Sequence, residues 1–224
     1  VLKKGSLQPD LPRYNSEKTD YWGYYNNSYY DNHYPLDKDG NVSTTQSFNF
    51  EDYKEPNIFS KAETLKSLTY PTKGKLEFDY ELHNYSKFYD YNKPANFEII
   101  KNGYAGGMRV KSLIFKDEYD NVRLKKDYYY VKNYVLNNLE SSGVVTYIPK
   151  YKYQIQGNGI NINSFSTTSY TETLNQDNSH VGYSSVTEVI DGNQFIQTDY
   201  TNHDNGYPNE SAFQNLGYTS IVIN

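Results

Sequence analysis

The chain has 224 residues, a formal net charge of −5, hydrophobic residues at 36% and aromatic residues at 17%. Mild acidity without a basic stripe argues against nucleic acid as a partner, and the wealth of aromatics argues against disorder in spite of the low apolar content. The absence of cysteine excludes a disulfide framework or a thiolate site, and no apolar run approaches the ~18 residues of a membrane span, so no membrane insertion is expected.

Tyrosine is the dominant signal: 27 of them stand against one Trp and one Met. Tyr has an apolar ring and a hydroxyl that stays wet, and it favours strands. Used in place of Leu and Ala, it predicts half-buried sheets around a thin core. The expected fold is all-β: antiparallel hairpins and meanders forming a β-sandwich or an open curved sheet, with long polar loops. Because it opens on Val1, the sequence also reads as a piece of a longer chain whose export segment lies elsewhere.

Residues 1–60 read as an irregular, aromatic-rich segment, broken by Pro9, Pro12, Pro35 and Pro56 and laid over a β-rich domain of residues 61–224. Tyr21, Trp22, Tyr24, Tyr25, Phe48 and Phe50 are its anchors. From Leu65 the pattern sharpens. Leu65–Tyr70 and the alternation of Leu76, Phe78, Tyr80 and Leu82 with Glu77, Asp79 and Glu81 read as a hairpin turned at Pro71, Lys73 and Gly74. Residues 83–105 read as a long polar loop. Gly106-Gly107 opens a strand running to Phe115 with Arg109 and Lys111 on one face. A turn at Asp117–Asn121 returns it as Val122–Val131. Ser141-Ser142-Gly143 breaks the chain before Val144–Ile148, which continues extended to Ile155; Asn158–Ser169 is polar. Val181–Ile190, a turn at Asp191-Gly192-Asn193, and Gln194–Tyr200 form another hairpin, and Tyr218–Ile223 is a last short strand. No segment carries a helical apolar stripe.

Chemistry is sparse. His33, His83, His180 and His203 have no metal-ligand spacing, and no nucleophile elbow or phosphate loop is present. Asp37, Asp39 and Asn41 have the alternate oxygens of a calcium loop. Their Gly40 stands at the fourth place, however, and no Glu closes a twelve-residue loop, so they read as a turn. Glu77, Asp79 and Glu81 have the spacing of paired glycosidase acids, about 7 Å along a strand face, yet any acidic strand face has it. No catalytic residue, cofactor or metal is expected. Tyr21, Trp22, Tyr24 and Tyr25 could stack on pyranose faces, which makes glycans a candidate ligand.

Four segments carry a resemblance. Tyr21-Trp22-Gly23-Tyr24-Tyr25-Asn26 is similar to a Trp/Phe-Gly-Tyr-Tyr-Asn element. Leu65–Gly74 running into Glu77–Glu81 resembles Leu-x-x-Ile-Thr-Tyr-Pro-Thr-Gly-Gly…Phe-x-Tyr-Glu, with Tyr70, Pro71 and Gly74 matching and Lys73 standing in place of Gly. Ala105-Gly106-Gly107-Met108-Arg109-Val110-Lys111 resembles Ala-Gly-Gly-Leu-Arg-Ile-Lys. His180-Val181-Gly182-Tyr183, running on to Val186-Thr187-Glu188, resembles His-Val-x-Tyr-x-x-Val-Thr-Glu. In this order they resemble the region preceding the repeats of large RHS/YD-repeat proteins of Bacteroidetes. The resemblance implies a secreted or cell-surface, β-rich scaffold, exported by the type IX route. Its partner would be the remainder of the parent polypeptide (the YD-repeat shell) or a secretion or surface partner. It carries no catalytic residues.

Overall fold

The computed structural model describes residues 6–7, 18–28, 54–89, 97–145, 148–157, 160–165, 180–205 and 220–223. Asp37, Asp39, Asn41, Phe48 and Phe50 lie outside the described residues, as does His33. The fold is all-β, an open sheet and not a closed barrel. Its one helical element among the described residues is a 3-10 turn, Ile58–Lys61, capped by the Asn57 side chain, which accepts from the Phe59 N–H.

The order of the main sheet follows from its hairpins. β1 (Ser6–Leu7) pairs with β2 (Leu65–Thr69), so residues 1–60 contribute a short strand and are not wholly irregular. β2 pairs with β3 (Lys75–Tyr89), β3 with β4 (Phe97–Lys116), and β4 with β5 (Val122–Tyr129). The β2–β3 and β4–β5 turns share one design. In Tyr70–Gly74, the Tyr70 N–H donates to the Gly74 carbonyl at 2.8 Å and the Lys73 N–H donates to the Tyr70 carbonyl at 2.9 Å. Asp117–Asn121 repeats both bonds, and its Asp117 carboxylate also accepts from the Tyr119 and Asn121 N–H groups. The fourth residue of each turn is left-handed: Lys73 at φ 68° and Asp120 at φ 64°. This is the three-residue hairpin loop with its extra residue at positive φ, a place glycine occupies without strain. Lys73 thus takes the left-handed position where the resemblance has Gly.

β3 and β4 correct the loop expected at 83–105. They continue to Tyr89 and start at Phe97, and they pair from Lys75↔Lys116 to Tyr89↔Phe97. Shifts of register between Asp79/Tyr80, Leu82/His83 and Tyr85/Lys87 break the alternation that marks a strand in sequence. Gly106 and Gly107 therefore do not open a strand. Leu82 faces Met108 and His83 faces Ala105, which leaves the two glycines as a bulge in the middle of β4.

The bulged, distal half of β3–β4 turns away from β5 and acquires a different neighbour. β8 (Gly143–Val145) lies parallel to β3 (Lys87↔Val144, Phe88↔Val145) and antiparallel to β11 (Val181–Tyr183). β12 (Ser185–Ile190) then pairs with β5 and with β13 (Gln194–Asp199), and β14 (Ser220–Ile223) pairs with β13. The strand expected over Val181–Ile190 is thus split at Ser184. There the Ser184 N–H and hydroxyl both donate to the Ser142 carbonyl at 3.1 Å, and the Ser142 hydroxyl donates to the Ser185 carbonyl at 2.6 Å. These buried serines satisfy backbone groups that the corner withdraws from the ladder.

Two hairpins stand apart from the main sheet. β6 (Val131–Asn133) and β7 (Asn138–Ser141) fold so that the Tyr134 ring meets Tyr129 at 4.7 Å and Phe195 at 6.1 Å. β9 (Lys152–Gly157) pairs with β10 (Ile160–Phe165). The core is thin, as a tyrosine-rich composition predicts. Tyr85, Ala105, Val145 and Val181 form its buried centre, with Trp22, Phe88, Ile148 and Tyr183 packed against it.

Candidate functional site

The first and third resembling segments and the head of the fourth meet at the bulge of β4, and the second reaches it through Glu81. The first arrives as a tight turn. The Asp20 N–H donates to the Tyr24 carbonyl at 2.7 Å and the Gly23 N–H to the Asp20 carbonyl at 3.2 Å, with Gly23 at φ 91°. The Asp20 Oδ1 accepts from the Trp22 and Tyr24 N–H groups, each at 2.9 Å. This is the turn of Asp117 again, with a difference: Asp20 is fully buried.

The turn docks where β4 has no side chains. A Cβ on Gly106 would lie 2.5 Å from Asp20 Oδ2 and 2.9 Å from Trp22 Cβ, and one on Gly107 would lie 2.9 Å from the Tyr24 ring. Gly107 sits at φ 81°, a conformation that L side chains rarely adopt. Both glycines are thus explained, one by close approach and the other by close approach and backbone conformation.

The last segment closes over the same place. His180 donates from Nε2–H to the Gly106 carbonyl at 2.6 Å. Its ring lies 5.5 Å from Trp22, 5.9 Å from Tyr24 and 5.6 Å from His83. His83 stacks on Tyr183 at 5.9 Å, and its Nδ1 accepts from the Tyr183 hydroxyl at 2.9 Å. Arg109 completes the knot. Its guanidinium meets Glu81 Oε1 at 2.6 Å, donates to Asn84 Oδ1 and the Tyr183 hydroxyl at 2.8 Å each, and lies 4.1 Å from the centre of the Tyr130 ring. A desolvated, planar cation over an aromatic face, with a carboxylate at its edge, is the arrangement Arg makes and Lys does not.

Burial tunes these groups. It drives the Asp20 carboxyl up to about 6 and the Tyr130 phenol up to about 12. Burial, with the neighbouring His180 and Arg109, pulls His83 down to about 4, and burial pulls His180 below its ordinary value. Both imidazoles are neutral at pH 7, and each already holds a hydrogen-bond partner. The cluster therefore joins elements from distant parts of the chain.

The other residues singled out by sequence fall as follows. Of the sugar-stacking set only Tyr24 is exposed, at 42%; Tyr21, Trp22 and Tyr25 are half-buried. The Tyr21 carbonyl accepts from the Tyr151 hydroxyl, and Tyr25 donates to Asn27. The acidic face expected in water is ion-paired throughout: Glu77 with Lys75 and Lys116, Asp79 with Lys61, Glu81 with Arg109. The two lysines hold Glu77 below the usual carboxylate range. Glu188 pairs with Lys126 at 2.9 Å, on β12 and away from the bulge. Among the described residues no three His, Asp or Glu gather as metal ligands.

Asp20, His83, Asn84 and Tyr130 belong to the site and were not read from sequence as part of it. For Asp20 a signal existed, since Asp20-x-x-Gly23 has the spacing of Asp117-x-x-Asp120. The chain has no match among protein-family models, curated proteins or solved structures.

Proposed function

We propose that the chain is a non-enzymatic, β-rich scaffold module of a larger RHS/YD-repeat-like protein, secreted or held at the cell surface. The observation that carries this reading is the meeting, on one bulge of β4, of the first and third resembling segments, the head of the fourth, and Glu81 at the end of the second, all far apart in sequence. Trp22 and Tyr24, Gly106 and Gly107, Arg109 with Glu81, and His180 with Tyr183 touch each other and are spent on each other. Residues so arranged keep an N-terminal turn, a long hairpin and β11 in one body. That is the work of a shell, whose partner is the rest of its own polypeptide.

A second reading has one observation in its favour. The exposed Tyr24 ring is backed by Gly107 and His180 and presents an apolar face of the kind that stacks on sugars. A glycan array with the wild type and Tyr24→Ala separates the two. The scaffold reading expects no Tyr24-dependent signal. Binding that disappears in Tyr24→Ala, with the melting curve unchanged, replaces it by a carbohydrate-binding module.

A further inference from the structure

The Asp20 turn has an unfilled requirement. Asp20 has no exposed surface, its Oδ1 accepts from the Trp22 and Tyr24 N–H groups, and Oδ2 has no hydrogen-bond partner. Nor is there room at that oxygen on the β4 side, because it occupies the space where a Gly106 side chain would stand. An ionised carboxylate needs donors or water at both oxygens, and a buried one lacking them favours any motion that lets water in. The motion available is the lifting of residues 18–28 off the Gly106-Gly107 bulge.

We propose that the Asp20 turn is a proton-gated clasp: it grips β4 when Asp20 is protonated and loosens when Asp20 ionises, baring the bulge and the core beneath Trp22.

The charged and titratable groups around Asp20 set the direction. Lys54, from the segment beside the turn, favours the ionised form, but burial outweighs it. Tyr24, on the turn itself, stays neutral, its phenol raised by burial and by Asp20. His180 packs on Trp22 and Tyr24 from the other side, with His83 and then Arg109 behind it. Glu55 meets the turn through its carbonyl, which Asn26 reaches, and Tyr151 through its hydroxyl, which bonds the Tyr21 carbonyl, and its ring, 6.2 Å from that of Tyr21. A carboxyl held near 6 against 3.8 when free binds its proton more tightly in the docked state. Docking therefore strengthens as pH falls through 6, by roughly tenfold at pH 5 and by roughly a hundredfold once pH is at or below the free value of 3.8. The two imidazoles act in the opposite sense, since both are depressed and their protonation at lower pH opposes docking.

Trp22 is the single tryptophan and sits in the turn, so its accessibility to a neutral quencher, acrylamide, reads the clasp directly. In the full chain, quenching should fall several-fold from pH 7.5 to 5. In Asp20→Asn, which keeps the Oδ1 acceptor and cannot ionise, quenching should be low at pH 7.5 and rise only on the acid side as the imidazoles protonate. Wild-type quenching that is flat across this range, or an unchanged transition in Asp20→Asn, overturns the proposal. Should Asp20→Asn fail to fold, the Asp20 carboxyl carbon can be titrated by NMR in the wild type; a midpoint at or below 4 overturns the proposal as well.

Discussion

Gly107→Ala should cost about 2–4 kcal/mol, and the cost should divide into two separable parts. Holding an L residue in the left-handed region at φ 81° costs roughly 1–2 kcal/mol. The new methyl also stands 2.9–3.2 Å from three atoms of the Tyr24 ring, an overpacking that costs about 1–3 kcal/mol, toward the lower end because that ring is partly exposed and can swing. Urea unfolding should be followed in parallel by circular dichroism, which reports the sheet, and by Trp22 fluorescence, which reports the turn. Repeating the substitution in a Tyr24→Ala background removes the ring and leaves only the backbone strain, so the cost of Gly107→Ala should drop to about 1–2 kcal/mol. An equal cost in both backgrounds would show that Tyr24 does not pack on the bulge, and no cost in either would refute the left-handed conformation as well.

Three further outcomes follow from the same geometry. Arg109→Met should destabilise by about 2–4 kcal/mol, because it strands Glu81 and the Tyr183 hydroxyl, and adding Glu81→Gln should restore part of the loss; denaturant midpoints of the two variants check it. Lys73→Gly should raise stability by about 0.5–1 kcal/mol, the left-handed strain relieved less the entropy of glycine, and an unchanged or lowered melting temperature counts against the turn assignment. His83 is neutral in the fold, at about 4 against 6.5 when free, so its contribution is complete above pH 6.5 and is lost as pH falls toward 4, by about 3 kcal/mol. In an Asp20→Asn background, which removes the opposing gain from Asp20, His83→Gln should therefore flatten the acid side of the stability profile, whereas an Asp20→Asn profile that stays level down to pH 4 contradicts the burial of His83.

Turn chemistry and clean alternation were legible in the sequence. Tyr70–Gly74, Asp117–Asn121 and Asp191-Gly192 each announce a hairpin, and the strands beside them alternate for long enough to be recognised. The distal half of β3–β4 was not legible, for a physical reason. Beside the buried Tyr85 and Ala105, many of its shielded groups are polar and are satisfied through partners distant in the chain: His83 with Tyr183, Ser86 with the Ser141 carbonyl, and Asn84 with Ser141. Hydropathy scores such a strand as loop, and the register shifts erase its period. The β6–β7 hairpin escaped for the converse reason, since Val135 and Leu136 at its tip are apolar and exposed. Gly106 and Gly107 were read as the opening of a strand, whereas close approach at both and positive φ at Gly107 account for them. Their place in mid-strand depends on the pairing of Leu82 with Met108 and of His83 with Ala105, which no local pattern encodes. The burial of Asp20 was not legible, because burial of a single acid is a property of what packs over it.

The central claim is that this chain belongs to a larger surface or secreted protein whose shell it helps to build. An antibody raised against the folded chain, applied to fractionated cells that make the protein, tests this in one blot. The account predicts a polypeptide far larger than the 26.1 kDa of this chain, in the surface or secreted fraction. A single band near that mass in the cytoplasm would contradict it.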